Sequence, residues 1–176
     1  GPRSDGVRAL PVAFTEDETA IVLDAQPDGL SRFTAYPQYA GLFQVSLEAG
    51  DTPVQLLPGE PDCFCGAAIR ADQFLRLSLT EDATGFDVLV RDLVRGSLET
   101  IPAMNLSNYT QAGDLLIAPD GRRAVYALSQ IENFGAVNQS VRTVFVLVDL
   151  DTMTQGALTQ PITTYVHPIR WTEENT

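Results

Sequence analysis

Few residues in this chain could do covalent chemistry. His167 is its one histidine. A nucleophile–base pair needs an imidazole within hydrogen-bond reach of a hydroxyl or thiol, so any such pair has to use His167. A hydrogen-bonded structural histidine beside Pro168 is the better reading, and no catalytic residue is assigned. Cys63 and Cys65 are separated only by Phe64. On a strand both would point to one face without bonding. Paired zinc ligands usually have two residues between them and further ligands elsewhere. Free thiols are therefore the first reading, ahead of a small strained disulfide loop and a metal site; no metal or cofactor is expected. The acidic turns Glu16-Asp17-Glu18, Glu81-Asp82 and Asp149-Leu150-Asp151 lack the ligand density of a calcium loop and read as solvated turns. No glycine-rich phosphate loop follows any strand. Asn105, Asn108 and Asn138 open glycosylation sequons in expected loops, a pattern that is common by chance.

Charge narrows the partners further. The chain has 176 residues, 23 acidic side chains against 11 basic ones, and a net charge of −12. All the basic residues are arginine, which reads as codon bias in a GC-rich genome. Phosphate backbones and anionic membrane surfaces would be repelled, so neither is an expected partner. The longest apolar run is short and interrupted by Asp149, so no transmembrane helix is expected. Apolar residues make up 44% of the chain, a globular composition. Gly1-Pro2 looks like the remnant of a cleaved tag, and residues 1–9 are set aside as scar and leader.

The elements that must position any site come in repeats. Phe14-Thr15-Glu16-Asp17-Glu18-Thr19 near the start is echoed by Trp171-Thr172-Glu173-Glu174-Asn175-Thr176 at the end. Between them lie Ile69-Arg70-Ala71-Asp72 and Ile117-Ala118-Pro119-Asp120-Gly121. The anchors Phe14, Ile69, Ile117 and Trp171 are 55, 48 and 54 residues apart. That period suits propeller blades. An apolar strand ending in a polar turn follows each of the first three anchors: 42–50, 86–96 and 144–152. The third of these is apolar at every position from Val144 to Val148, as a strand covered on both faces would be. Leu75, Leu77 and Leu79 alternate with Arg76 and Ser78, a strand pattern. No helical period stands out.

The segment Ala118-Pro119-Asp120-Gly121-Arg122-Arg123-Ala124-Val125-Tyr126, followed by 144–151 and Ala157-Leu158-Thr159, resembles one blade of the TolB-like β-propeller family. The resemblance implies an all-β fold of about three four-stranded antiparallel meanders plus the first strand of a fourth, forming part of a larger ring. The division is blade 1 at 10–66, blade 2 at 67–113, blade 3 at 114–163, and the first strand of a further blade at 164–176. Strands are expected near 10–14, 19–25, 42–47, 53–57, 67–70, 74–79, 86–91, 98–101, 114–118, 123–128, 143–149, 156–159 and 164–171. Three blades are fewer than the roughly four to eight that close a propeller ring. Open flanks should then be covered by further blades or by self-association.

In such a blade the links between strands one and two and between three and four lie on one face of the disc. Here those links are short. The links on the opposite face are long: 25–41, 58–67, 102–113 and 129–142. Long loops on a rigid scaffold are where binding usually sits. The expected ligand-binding residues are therefore Arg32, Phe33, Tyr36, Tyr39, Tyr109 and Phe134, with rings that simply pack the loops down as the alternative. The functional expectation is a non-catalytic binding or scaffold module taking a protein or small ligand on that long-loop face. The alternatives are the propeller portion of a larger hydrolase of the prolyl oligopeptidase type, or a carbohydrate-binding propeller. The resemblance leans toward an extracytoplasmic or periplasmic setting.

Overall fold

A computed structural model describes residues 7–15, 17–27, 35–36, 38–39, 41–48, 50, 52–56, 64–106 and 108–172. Thirteen strands and no helix are found among them. The first sheet comprises β1 (Val7–Phe14), β2 (Ala20–Pro27), β4 (Leu42–Ser46) and β5 (Val54–Gln55), hydrogen-bonded in that order. The second comprises β6 (Phe64–Arg70), β7 (Gln73–Leu79), β8 (Phe86–Asp92) and β9 (Leu98–Ile101), with the two-residue β3 (Gln38–Tyr39) added beside β6. The third comprises β10 (Gln111–Ile117), β11 (Arg123–Glu132), β12 (Ser140–Asp149) and β13 (Thr154–Ala157). Every named pairing is antiparallel. The chain is therefore an all-β stack of three four-stranded blades.

A repeat that the residue types conceal supports their equivalence. Each blade's first strand is bulged against its second, at Pro11/Ala13, Cys65/Ala67 and Gly113/Leu116. A bulge bends its strand and sharpens the twist. Gly66 adopts φ +52° in the second bulge, and Asp114 takes φ 56° in the third. Aspartate tolerates that left-handed region better than most residues.

Turn chemistry explains why the blades look unequal in sequence. In blade 3 the Pro-Asp-Gly turn closes through Gly121 N donating to Ala118 O at 2.9 Å, with Gly121 at φ 70°. Blades 1 and 2 lack glycine there, and Glu18 (φ 56°) and Ala71 (φ 46°) enter the left-handed region instead. Asp17 supports the first of these turns by accepting from Thr15 Oγ1 at 2.7 Å and from Thr19 N at 3.1 Å.

Two apolar clusters hold the blades together. Leu75, Leu77, Phe86, Val88 and Ile101 of blade 2 pack with Leu115, Tyr126, Leu128, Val144, Val146 and Val148 of blade 3. Between blades 1 and 2 the buried cluster among the described residues is Val22, Leu42, Ala67 and Phe74. Gln155 of β13 fastens blade 3 to blade 2. It accepts from Tyr126 Oη at 2.7 Å and donates to Phe86 O at 3.0 Å and Pro102 O at 2.8 Å. On β12, Val144, Val146 and Val148 are buried while Phe145 and Leu147 are only half-buried. The continuous apolar run is thus fully covered on one face alone.

One expected strand does not form. Residues 164–171 have no ladder, and the neighbouring Ile162 makes only an isolated bridge to Thr143. The segment instead follows the bulged first strand of blade 3, with Trp171 Nε1 donating to Leu116 O at 3.4 Å. The similarity of Trp171-Thr172 to Phe14-Thr15 therefore does not extend to structure: Phe14 ends β1, whereas Trp171 lies outside any strand. A strand also requires a ladder of backbone hydrogen bonds, and among the described residues this segment is tied to β10 through the side chains of His167 and Trp171 instead. Several other strands extend beyond expectation: β6 already begins at Phe64 and β10 at Gln111, each before its assigned blade boundary.

Candidate functional site

Among the described residues, the long-loop aromatics Tyr36, Tyr109 and Phe134 do not converge on an open surface. Arg32 and Phe33 lie outside the described residues. Tyr39 contributes backbone pairing to Phe64. Phe134 stands 51% exposed in the β11–β12 hairpin. Tyr109 is buried at 8% exposure in the core between blades 2 and 3. Tyr36, at 2% exposure, is a structural plug rather than a ligand-facing ring.

The position of Tyr36 is set by contacts far away in sequence. Its hydroxyl is 2.5 Å from Ser129 Oγ, which is 2.7 Å from Thr143 Oγ1. Thr143 Oγ1 donates to Thr164 O at 2.9 Å. Each hydroxyl has one proton, so the chain runs in one direction: Tyr36 to Ser129 to Thr143 to the Thr164 carbonyl. Burial pushes the Tyr36 phenol above its ordinary value. Gly113 makes room for it, since a Cβ there would stand 2.3 Å from Tyr36 Cβ.

His167 belongs to the same assembly. Its Nδ1 pairs with Asp114 Oδ2, and its ring meets Tyr36 edge-on with centroids 5.7 Å apart. The left-handed backbone at Asp114 occurs in the bulge that presents this carboxylate. With Gln139 Nε2 donating to Tyr165 Oη at 3.3 Å, these contacts fasten the segment after blade 3 to the scaffold. No hydroxyl nucleophile is bonded to the imidazole among the described residues.

Open space lies on the other face. A cleft of about 400 Å³ separates blades 1 and 2 at their short turns. Val22, Leu56, Ile69 and Leu93 form its apolar floor. Phe14, Asp17, Arg70 and Asp72 form its rim, with Phe14 63% exposed. Leu93 is drawn in by its N–H, which donates to Asp72 O at 2.7 Å. Asp17 is held ionised by the Thr15 hydroxyl and the Thr19 amide, which lower its carboxyl below the usual range. Sequence reasoning missed this site because its lining comes from separate turns in two blades. The one legible signal was Phe14, an aromatic ending a strand immediately before an acidic turn.

No protein-family model matches the chain, and no curated protein matches it. Among solved structures it is similar to TolB from Acinetobacter baumannii, with 16% identity and a TM-score of 0.48, over 88% of this chain and 33% of that one. It is also similar to the tricorn protease, with 14% identity and a TM-score of 0.44, over 88% of this chain and 13% of that one. The chain thus spans a third or less of either structure's length. The blade assignment rests on sheet order, register and the repeated bulge.

Proposed function

We propose that this chain is a non-catalytic binding module that takes its ligand in the cleft between blades 1 and 2. The observation that carries the reading is an apolar-floored cleft of about 400 Å³ rimmed by charged side chains. Ligand sites are typically concave, mostly apolar and furnished with a few polar groups that fix orientation. Arg70 and Asp72 suit the second role, because neither side chain has an ion pair or hydrogen bond among the described residues. The scaffold supports the floor from both sides through the Val22–Phe74 cluster. Relative to the long-loop expectation, the reading keeps binding and moves the site to the opposite face.

A fragment screen followed by backbone NMR tests it on the full chain. Fragments should shift the amides of Phe14, Ile69, Arg70 and Leu93 as a group. Ile69→Trp, which fills the floor, should abolish those shifts while the remaining spectrum stays folded. Hits that cluster around Phe134 instead, or no hits at all, would overturn the proposal.

A further inference from the structure

The distribution of charge around the short turns says what kind of occupant the cleft takes. On the blade 2 and blade 3 side, the arginines are matched to neighbouring aspartates. Arg95 lies 3.8 Å from Asp92, Arg123 3.4 Å from Asp120, and Arg122 2.5 Å from Asp151. Around the cleft this matching fails. Asp17, Glu18 and Asp72 stand on its two blade turns. Glu48 stands on a third turn, tied to the first by Leu47 N donating to Thr19 O at 2.9 Å. Arg70 is the one cation among the described residues of these turns. The unmatched negative charge of this face is therefore concentrated at the mouth of an apolar cleft.

We propose, building on the binding reading above, that the occupant is an extended cationic peptide segment in which one bulky apolar side chain is flanked by lysine or arginine. The apolar side chain fills the floor formed by Val22, Leu56, Ile69 and Leu93. The flanking cations meet Asp17, Glu18, Asp72 and Glu48. A single apolar anchor in a pocket surrounded by a charged rim is the usual division of labour at a peptide site. The chain's net charge of −12 adds long-range attraction for the same partner.

Fluorescence anisotropy on the full chain tests the proposal with three labelled hexapeptides. One alternates arginine and leucine, one alternates glutamate and leucine, and one alternates arginine and glycine. The arginine–leucine probe should bind, and its affinity should fall as salt is raised. The other two should bind at least ~10-fold more weakly, the first through repulsion and the second for want of an anchor. Combining Glu18→Gln with Asp72→Asn should weaken the arginine–leucine probe by roughly 3- to 10-fold. Neither side chain is buried, so the fold is preserved. Ile69→Trp should abolish binding. Preference for the glutamate probe, equal binding of the glycine probe, or indifference to the cleft variants would overturn the proposal. If fragments occupy the cleft and the arginine–leucine probe does not, the binding reading stands and the cationic-peptide assignment fails.

Discussion

Gly113→Ala should destabilise the chain because of a side chain 77 positions away in sequence. The new Cβ would stand 2.3 Å from Tyr36 Cβ and 2.9 Å from Cγ, whereas ordinary contact is 3.4–4 Å. Tyr36 has little freedom to retreat, being 2% exposed and bonded to Ser129. Overpacking of this kind costs about 1–3 kcal/mol. Pulling the phenol off Ser129 adds about 1 kcal/mol. Replacing glycine within a strand returns about 0.5–1 kcal/mol of conformational entropy. The net expectation is a loss of about 2 kcal/mol. Urea unfolding at constant slope measures it. The decisive control is Tyr36→Gly, which removes both the Cβ and the ring. In that background Gly113→Ala should become neutral or slightly stabilising, giving a coupling of about 2 kcal/mol in the double-mutant cycle. A Gly113→Ala cost below about 0.5 kcal/mol, or the same cost with and without Tyr36, would refute the reasoning, because the Tyr36 plug would then not occupy this site.

Further outcomes follow from other contacts. Gln155→Ala removes the acceptor for Tyr126 and the donor to two blade 2 carbonyls, so it should cost about 2 kcal/mol in the same assay. Gln155→Glu should be no milder, since a carboxylate cannot donate to Phe86 O and Pro102 O. Asp17, Asp82, Asp92, Asp120 and Asp149 all have carboxyl values lowered from 3.8, chiefly by the Thr15 and Thr80 hydroxyls and by the Arg95, Arg122 and Thr152 amides respectively. A lowered folded value means the stabilisation is complete above the unfolded value and lost as pH falls through the folded one. Thermal stability should therefore decline on acidification below the ordinary carboxylate value, and a melting temperature that rises there would contradict these turns. The half-covered flank of β12, with Leu158 54% exposed beside it, should drive self-association at micromolar concentration. Light scattering should detect it, Leu147→Arg should suppress it, and a concentration-independent monomer would count against it.

The sequence made some elements easy to read and hid others for identifiable reasons. β11 was legible because it follows a turn whose Pro119 and Gly121 have specific backbone roles, and β12 because of its unbroken apolar run from Val144 to Val148. β7 was legible from alternation, but the face bearing Arg76 proved nearly as covered as the face of Leu75 and Leu77. Alternation shows which residues share a face and not whether a neighbouring blade lies across it. The segment 164–171 was read as a strand because its aromatic-Thr ending copies the end of β1. The ladder partner that makes a strand is not written in such a motif. The burial of Tyr36 was hidden because its hydroxyl partner is Ser129, two blades further on. The cleft was hidden for the same reason: Val22, Ile69 and Leu93 have nothing in common until the blades are placed side by side.

Packing and charge divide the molecule in a consistent way. Between blades 2 and 3 the core is continuous, Gln155 clamps the outer strands, and the arginines of the short turns are paired within the same blades. That interface leaves little apolar floor open and little charge unmatched. Between blades 1 and 2 the apolar side chains meet without filling the space, and among the described residues lining the cleft the carboxylates Asp17 and Asp72 outnumber Arg70. A void lined by apolar groups forfeits dispersion contacts on its open side. Like charges at its mouth add repulsion. Both shortfalls are relieved by the same kind of occupant, one that brings an apolar group for the floor and positive charge for the rim. The weaker blade interface and the proposed binding site are thus two consequences of one arrangement, and residues that would strengthen the scaffold by filling the cleft are those that would remove its capacity to bind.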